Sequence, residues 1–214
     1  MEAASAVVAV LGLQAALAVA SYMAPWKVWD FRWWVWLVPA PFELLLLVVL
    51  VASRPRRRLE EIGIRREATL ILLGLVGAAN AFLLFAVIAS LISGKETSGA
   101  QLLLKAAAVW ATNVVAFGLW YWAFDRGGPV RRLEPNPPPP DFQFPQMDDS
   151  PETSWRPHLL DYVYVSYTNS IAFSPTDAMP LTRRAKLAML FESAISAMTL
   201  LLVAARAVNI FKGG

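Results

Sequence analysis

The sequence predicts an all-α, polytopic membrane protein with five transmembrane helices and one short, polar helix that either re-enters the membrane or forms a sixth span. Three observations carry this. Of 214 residues, 57% are hydrophobic and only 16% charged, well to the apolar side of soluble domains. Apolar runs of about twenty residues recur along the chain, the length a helix needs to cross about 30 Å of hydrocarbon. Arginines cluster beside these runs, as the positive-inside rule leads one to expect. The net charge of +3 is too small and too scattered to suggest nucleic acid, so the expected partner is the lipid bilayer. With no cysteine and one histidine, His158, the chain offers no disulfide framework and no thiolate or His-rich metal site, and no cofactor is expected.

The first apolar run, Ala3 to Met23, contains Ala18-Val19-Ala20, which looks like a signal-peptide cleavage site. A signal peptide starts basic, however, and only Glu2 precedes this run, so it reads as a retained helix. "APWKVWDFRWWVW" follows, with Trp26, Trp29, Trp33, Trp34 and Trp36 inside eleven positions. Tryptophan favours the headgroup zone, which makes this an interfacial belt. A second helix is expected from about Trp34 to Ala52, kinked by Pro39 and Pro41 because each lacks a backbone donor. "RPRRRLEEIGIRRE" then places six arginines between Arg54 and Arg66, the strongest topological signal in the chain. That loop belongs in the cytoplasm, and the N-terminus with it, in a cell inner membrane of bacterial type. A third helix from about Ala68 to Ser93, the loop "GKETSGA" and a fourth helix from about Gln101 to Phe124 complete a four-helix membrane region over 1–124. The fourth helix ends in "LWYWAF", a second aromatic belt.

From Asp125 to Pro157 the composition changes: nine prolines, and five acids from Glu134 to Glu152 without a base between them. Such a segment cannot fold alone and should be extended, as a linker or a cap. Its "FQFPQM" offers Phe142 and Phe144 as anchors back onto the membrane region, and its proline run Pro137 to Pro140 is a possible ligand for a partner protein.

Residues 158–214 divide into a polar stretch, a turn and a final helix from about Thr182 to Phe211. The stretch Leu159 to Phe173 carries Asp161, Ser166, Thr168, Asn169 and Ser170, and its fifteen residues reach roughly 22 Å as a helix. It is too short and too polar to face lipid, so a re-entrant helix and a polar span both remain open. The turn "SPTD", Ser174 to Asp177, has the spacing of a capping box with proline at the first helical position.

Several of these elements together resemble a family of bacterial multi-pass membrane proteins grouped as "domain of unknown function 1345". The matching parts are the Arg54 to Arg66 loop, "LWYWAF", "FQFP", "DYVYVSYT" from Asp161 to Thr168 and "ARAVNI" from Ala205 to Ile210. The resemblance covers about the last three quarters of the chain and implies a membrane protein without an established activity. A weaker, architectural resemblance links "YTNSIAFSPTDAMPLTRRAK" to the pore region of potassium channels. Its filter is missing: Ser174 and Thr176 stand where filter glycines would be, and Pro175 fixes its own backbone angle. The arginine count also places the preceding linker on the cytoplasmic side, opposite to such channels.

Ionisable groups inside a membrane are functional candidates by default. Glu43, Glu192 and Arg206 qualify; Glu192 and Arg206 lie on one face of the last helix but about 21 Å apart. Glu192 should therefore meet another helix or a wet cavity, while Arg206 snorkels to the interface. Asn80, Asn113 and Asn209 suit interhelical hydrogen bonds. Asp161 suits the N-terminus of the short helix. Asp161, Thr168, Asn169, Ser170, Ser174, Thr176, Asp177 and Glu192 form the expected polar turn or pathway. No catalytic motif is found, so no catalytic residue is assigned. The sequence thus suggests a small channel-like or transport unit, closed by homo-oligomerisation, or alternatively a non-conducting scaffold whose proline-rich linker binds a partner.

Overall fold

A computed structural model describes residues 2–23, 31–51, 64–92, 99–147, 155–174 and 178–212 of this chain. Six α-helices carry the fold: α1 Glu2–Met23, α2 Ala40–Val51, α3 Ile64–Ile92, α4 Gly99–Phe124, α5 Leu159–Ala172 and α6 Arg183–Lys212. Two-residue strands, β1 Phe142–Gln143 and β2 Met179–Pro180, pair antiparallel with Phe142 opposite Pro180. Four segments are long and apolar enough to cross a membrane: Ala3–Met23, Trp33–Val51, Ala68–Ser90 and Ala100–Gly127. Helix α6 has 30 residues, and its side chains at 202, 205–207 and 209–212 lie outside the described ones. Arg183, Arg184, Lys186 and Glu192, followed by Ser193, Ser196 and Thr199, make its first half more polar than the other long helices.

Three apolar clusters give the helices their directions. At one end Ala3, Val7, Leu46, Leu72, Leu119, Ala123 and Leu159 pack together. At the other Leu17, Trp36, Leu83, Val87, Leu102, Ala106 and Val203 do so. Helices α1 and α3 therefore run from the first end to the second, and α2 and α4 run back. Helix α6 runs from Ala185, in a third cluster with Tyr121, Phe124, Phe142 and Tyr162, to Val203 at the far end. It thus traverses the same thickness as the four apolar spans.

The prolines of the second segment act differently from the expected kink. A 3-10 turn over Trp33–Leu37 precedes α2, which begins only after Pro39. The Pro39 carbonyl accepts the Phe42 and Glu43 amides at 3.0 and 3.1 Å, and Pro41 sits in the first turn, where no donor is lost. Of the expected tryptophan belt, Trp33 and Trp34 are exposed, whereas Trp36 is buried and donates to Ser21 Oγ at 2.8 Å. Trp26, Trp29 and positions 52–63 of the arginine loop lie outside the described residues.

The proline-rich segment is folded where the structure describes it. Arg126, Gly127 and Gly128, all at positive φ, turn the chain back over the end of α4. Gly128 is required there, since a Cβ would stand 2.9 Å from the Ala123 carbonyl oxygen. Phe142 and Phe144 are buried among Tyr121, Phe124, Tyr162 and Trp155. The segment builds no core of its own. It borrows the aromatic ends of α4 and α5, which is how so proline-rich a sequence becomes an ordered cap.

Helix α5 lies between α4 and α6 and runs antiparallel to α4. Its start packs at the cap, while Tyr167 and Ser170 reach Trp110. Trp110 is fourteen residues before Phe124, or about 21 Å along the helix. The chain is back at the cap by Met179, where β2 pairs with β1. Both ends of the α5 segment thus meet the same face of the bundle.

The α4–α5 contact depends on Gly118. A Cβ there would lie 2.7 Å from a Val163 methyl and 2.8 Å from the Val163 Cα. Gly118→Ala is expected to displace α5 and destabilise the protein by about 1–3 kcal/mol, the usual cost of overpacking. Thermal unfolding in detergent checks it; a midpoint equal to wild type would mean that α5 does not sit against α4.

Candidate functional site

Two polar centres occupy the junction of α4, α5 and α6, one at the cap and one deeper. In the deeper centre Glu192 is 0% exposed although it sits in an otherwise apolar bundle. Its Oε2 accepts the Tyr121 hydroxyl at 2.6 Å and the Asn169 amide at 2.7 Å. Ser166 Oγ lies against Oε1 and also 2.8 Å from the Val114 carbonyl. Asn169 donates to the Met189 carbonyl at 3.0 Å and accepts from Ser193 at 3.0 Å. These contacts come from three helices, so the centre ties α4, α5 and α6 together. The spacing of Ser166, Asn169 and Ser170 at i, i+3 and i+4 puts them on the inward face of α5, while Tyr164, Tyr167 and Ile171 point outward.

At the cap, Asp125 and Asp141 are both fully buried. Asp125 accepts the Asp141 amide at 2.7 Å through Oδ1 and the Tyr162 hydroxyl at 2.5 Å through Oδ2. Asp141 receives Arg184 in a two-pronged pair, Nε to Oδ1 at 2.6 Å and Nη2 to Oδ2 at 2.5 Å, and also the Thr182 hydroxyl at 2.6 Å. The cap is thereby fastened to the end of α4, to α5 and to the start of α6. Arg184 lies in the charged first turn of α6, outside its apolar stretch. Its hydrogen bonds to Asp141 raise its pKa above the ordinary guanidinium value. Stability from a raised cationic pKa is present below the unfolded value and is lost only as pH rises through the folded one, so the guanidinium stays charged at any working pH.

Arg132 closes the cap from the other side. It is 7% exposed, donates to the Trp122 carbonyl at 2.5 Å, and lies 5.0 Å from the Tyr162 ring centroid. Its guanidinium satisfies the carbonyls that the end of α4 leaves free.

The sequence-predicted residues fall into separate places. Asp161 caps α5, its carboxylate accepting the His158 amide at 2.6 Å. Thr168 bonds back to the Tyr164 and Val165 carbonyls of its own helix, and Ser170 donates to Tyr167 and accepts from Trp110. Of the expected pathway, Asn169 and Glu192 touch each other. Ser174 is exposed at the far tip of α5, and Thr176 and Asp177 lie outside the described residues. The capping-box reading of "SPTD" falls on 175–177, outside the described residues; α6 starts at Arg183, with Thr182 Oγ1 accepting the Ala185 amide at 3.3 Å. Glu43 is buried in the middle of the bundle, beside Val76 and Thr112, its Oε1 accepting from Gln14 at 2.8 Å, while Oε2 has no partner among the described residues. Both amide atoms of Asn80 are buried without a partner, and Asn113 is half-buried. The side chains of Arg206 and Asn209 lie outside the described ones.

Sequence reasoning missed Tyr121 and Asp125, the first taken as belt and the second as the start of a linker. It also missed Lys105, 1% exposed and six residues into α4. The signal for Lys105 was present, a lone cation in an apolar run. For Tyr121 and Asp125 the signal is only tertiary. Among the described residues no group of three or more His, Asp or Glu side chains is placed to hold a metal. Compared with known protein families, curated proteins and solved structures, the chain matches none.

Glutamine at position 192 can reproduce the deeper centre, its oxygen accepting from Tyr121 and Asn169 and its amide donating to Ser166, which then serves Val114. Glu192→Gln is therefore expected to fold with near-wild-type stability. Glu192→Ala leaves those partners buried and unpaired and should cost about 3 kcal/mol or more. Chemical unfolding of both variants in detergent checks the contrast, and equal losses would refute the hydrogen-bond assignment.

Proposed function

We propose that the chain is an inner-membrane protein of five spans with a cytoplasmic N-terminus and a re-entrant α5, and that copies of it assemble around the tip of α5 into a small channel-like unit. The observation that carries this reading is the geometry of α5. Its two flanks meet one cap, while Ala172, Phe173 and Ser174 are exposed at a depth of about 21 Å. Non-helical backbone at membrane depth is tolerated only against protein or a water-filled cavity, not against lipid. On one chain Ile171 and Phe173 stay about half exposed there, and further copies supply the cover.

Orientation rests on charge. Arg126, Arg131, Arg132, Arg156, Arg183 and Arg184 belong to the cap end, where α2 ends and α3 begins, and Arg54 to Arg66 follow α2 in the sequence. α6 is read as the fifth span because it runs from the cap cluster to the far cluster. The resemblance to the "domain of unknown function 1345" family agrees with this architecture and adds no activity. A non-conducting scaffold is the second reading, favoured by the dry packing of Glu192 and Asn169, whose hydrogen bonds go to the bundle and not to a pathway.

The chain has no cysteine, so single substitutions report cleanly. Gln146→Cys, exposed in the cap, should be labelled from the cytoplasmic side only. Ile171→Cys, 46% exposed near the tip of α5, should form disulfide-linked dimers in membranes on mild oxidation; monomer alone would remove the assembly. Purified wild type in liposomes should pass small ions, with the flux reduced by a thiol reagent in the Ile171→Cys protein. No flux across varied ions and voltages, with assembly intact, leaves the scaffold reading.

A further inference from the structure

The cap carries a feature that neither the re-entrant helix nor its assembly requires. A cleft of about 360 Å³ opens between the turns at 125–127 and 131–133 and the stretch Trp155–Pro157, lined by Arg126, Arg132, Glu134, Trp155, Arg156 and Pro157 among others. This is within the size range of small-molecule sites. Among the described residues three arginines therefore line one cleft, against the single carboxylate of Glu134.

None of the three is neutralised within the described structure. Arg132 is more than nine-tenths buried, yet its Nη atoms meet only backbone carbonyls, and its Nε has no acceptor. A buried guanidinium without an anion is costly, and removing that cost requires a negative group nearby. The Arg126 guanidinium reaches only the Met147 sulfur, at 3.8 Å, a weak acceptor. Arg156 makes no ion pair or hydrogen bond among the described residues. The two buried carboxylates of the cap are engaged elsewhere, Asp125 by Tyr162 and backbone amides and Asp141 by Arg184 and Thr182.

We propose that this cleft binds a phosphate group, held by Arg126, Arg132 and Arg156. Planar guanidiniums pair phosphate oxygens through parallel N–H donors, and several arginines converging on one cleft suit an oxyanion with oxygens on more than one side. The cleft lies at the end of α4, level with Trp120, Trp122 and Trp155, where the headgroups of a membrane would be. The phosphate is carried either by an anionic lipid headgroup or by a soluble molecule.

Thermal unfolding of the full chain in a neutral detergent distinguishes these sources. The probes are inorganic phosphate and short-chain phosphatidylglycerol, with sodium chloride and phosphatidylcholine of equal chain length as controls. A saturable rise in midpoint with phosphate assigns a soluble ligand; a rise with phosphatidylglycerol alone assigns a lipid. In either case the double variant Arg126→Gln, Arg156→Gln should bind about tenfold more weakly or worse, as expected for lost charge-assisted hydrogen bonds. Arg132 is left unchanged because it also closes the end of α4. No saturable shift with either probe, a shift matched by the controls, or an unchanged affinity in a double variant that folds like wild type overturns the proposal.

Discussion

A helix of fourteen residues is about 21 Å long, and a bilayer core is about 30 Å thick. In the proposed re-entrant arrangement α5 is held at its start and covered at its end. Much of the structure around it answers that constraint. The start is held by Asp161 at the cap of the helix, by Tyr162 on Asp125 and by Leu159 in the apolar cluster beneath. The body is held by the Glu192 centre and by the close approach of Val163 to Gly118. The tip, with Phe173 in the left-handed region at φ 52°, stays exposed on a single chain.

The two polar centres divide the work. Asp125 and Asp141 are buried and surrounded by donors from three directions, so they set where the cap and the start of α6 sit. Breaking one partner of such a pair costs more than the pair is worth, because the other charge stays buried. Glu192 performs the same service deeper down, where water cannot compete for its hydrogen bonds. Tyrosine recurs in both centres for a physical reason: Tyr121 and Tyr162 each fill apolar space with a ring and place one hydroxyl on a carboxylate.

The cap shows how a proline-rich, acidic segment can be ordered without secondary structure. Its amides find Asp125, its phenylalanines find the aromatic ends of α4 and α5, and its first turn uses Gly128 where a side chain would collide with a carbonyl. In the proposed orientation it lies at the cytoplasmic interface, where the arginine cleft would meet phosphate.

The sequence by itself determined the helices and their apolar character. Leu, Val and Ala in runs of about twenty favour helix in a membrane wherever their neighbours lie, so the long helices appear close to their expected bounds. It also marked Glu192, Asn169 and Asp161 as special, because polar groups in apolar surroundings stand out in one dimension. What only the tertiary structure decided is which groups satisfy them. Tyr121 and Asp125 look ordinary in "LWYWAFD", since their roles come from Glu192, 71 residues later, and Tyr162, 37 residues later. The return of the chain to the cap after α5 likewise shows only in β1 pairing with β2. Local composition encodes how each segment meets its surroundings; long-range hydrogen bonds encode how the segments meet one another, and their partners carry no local mark.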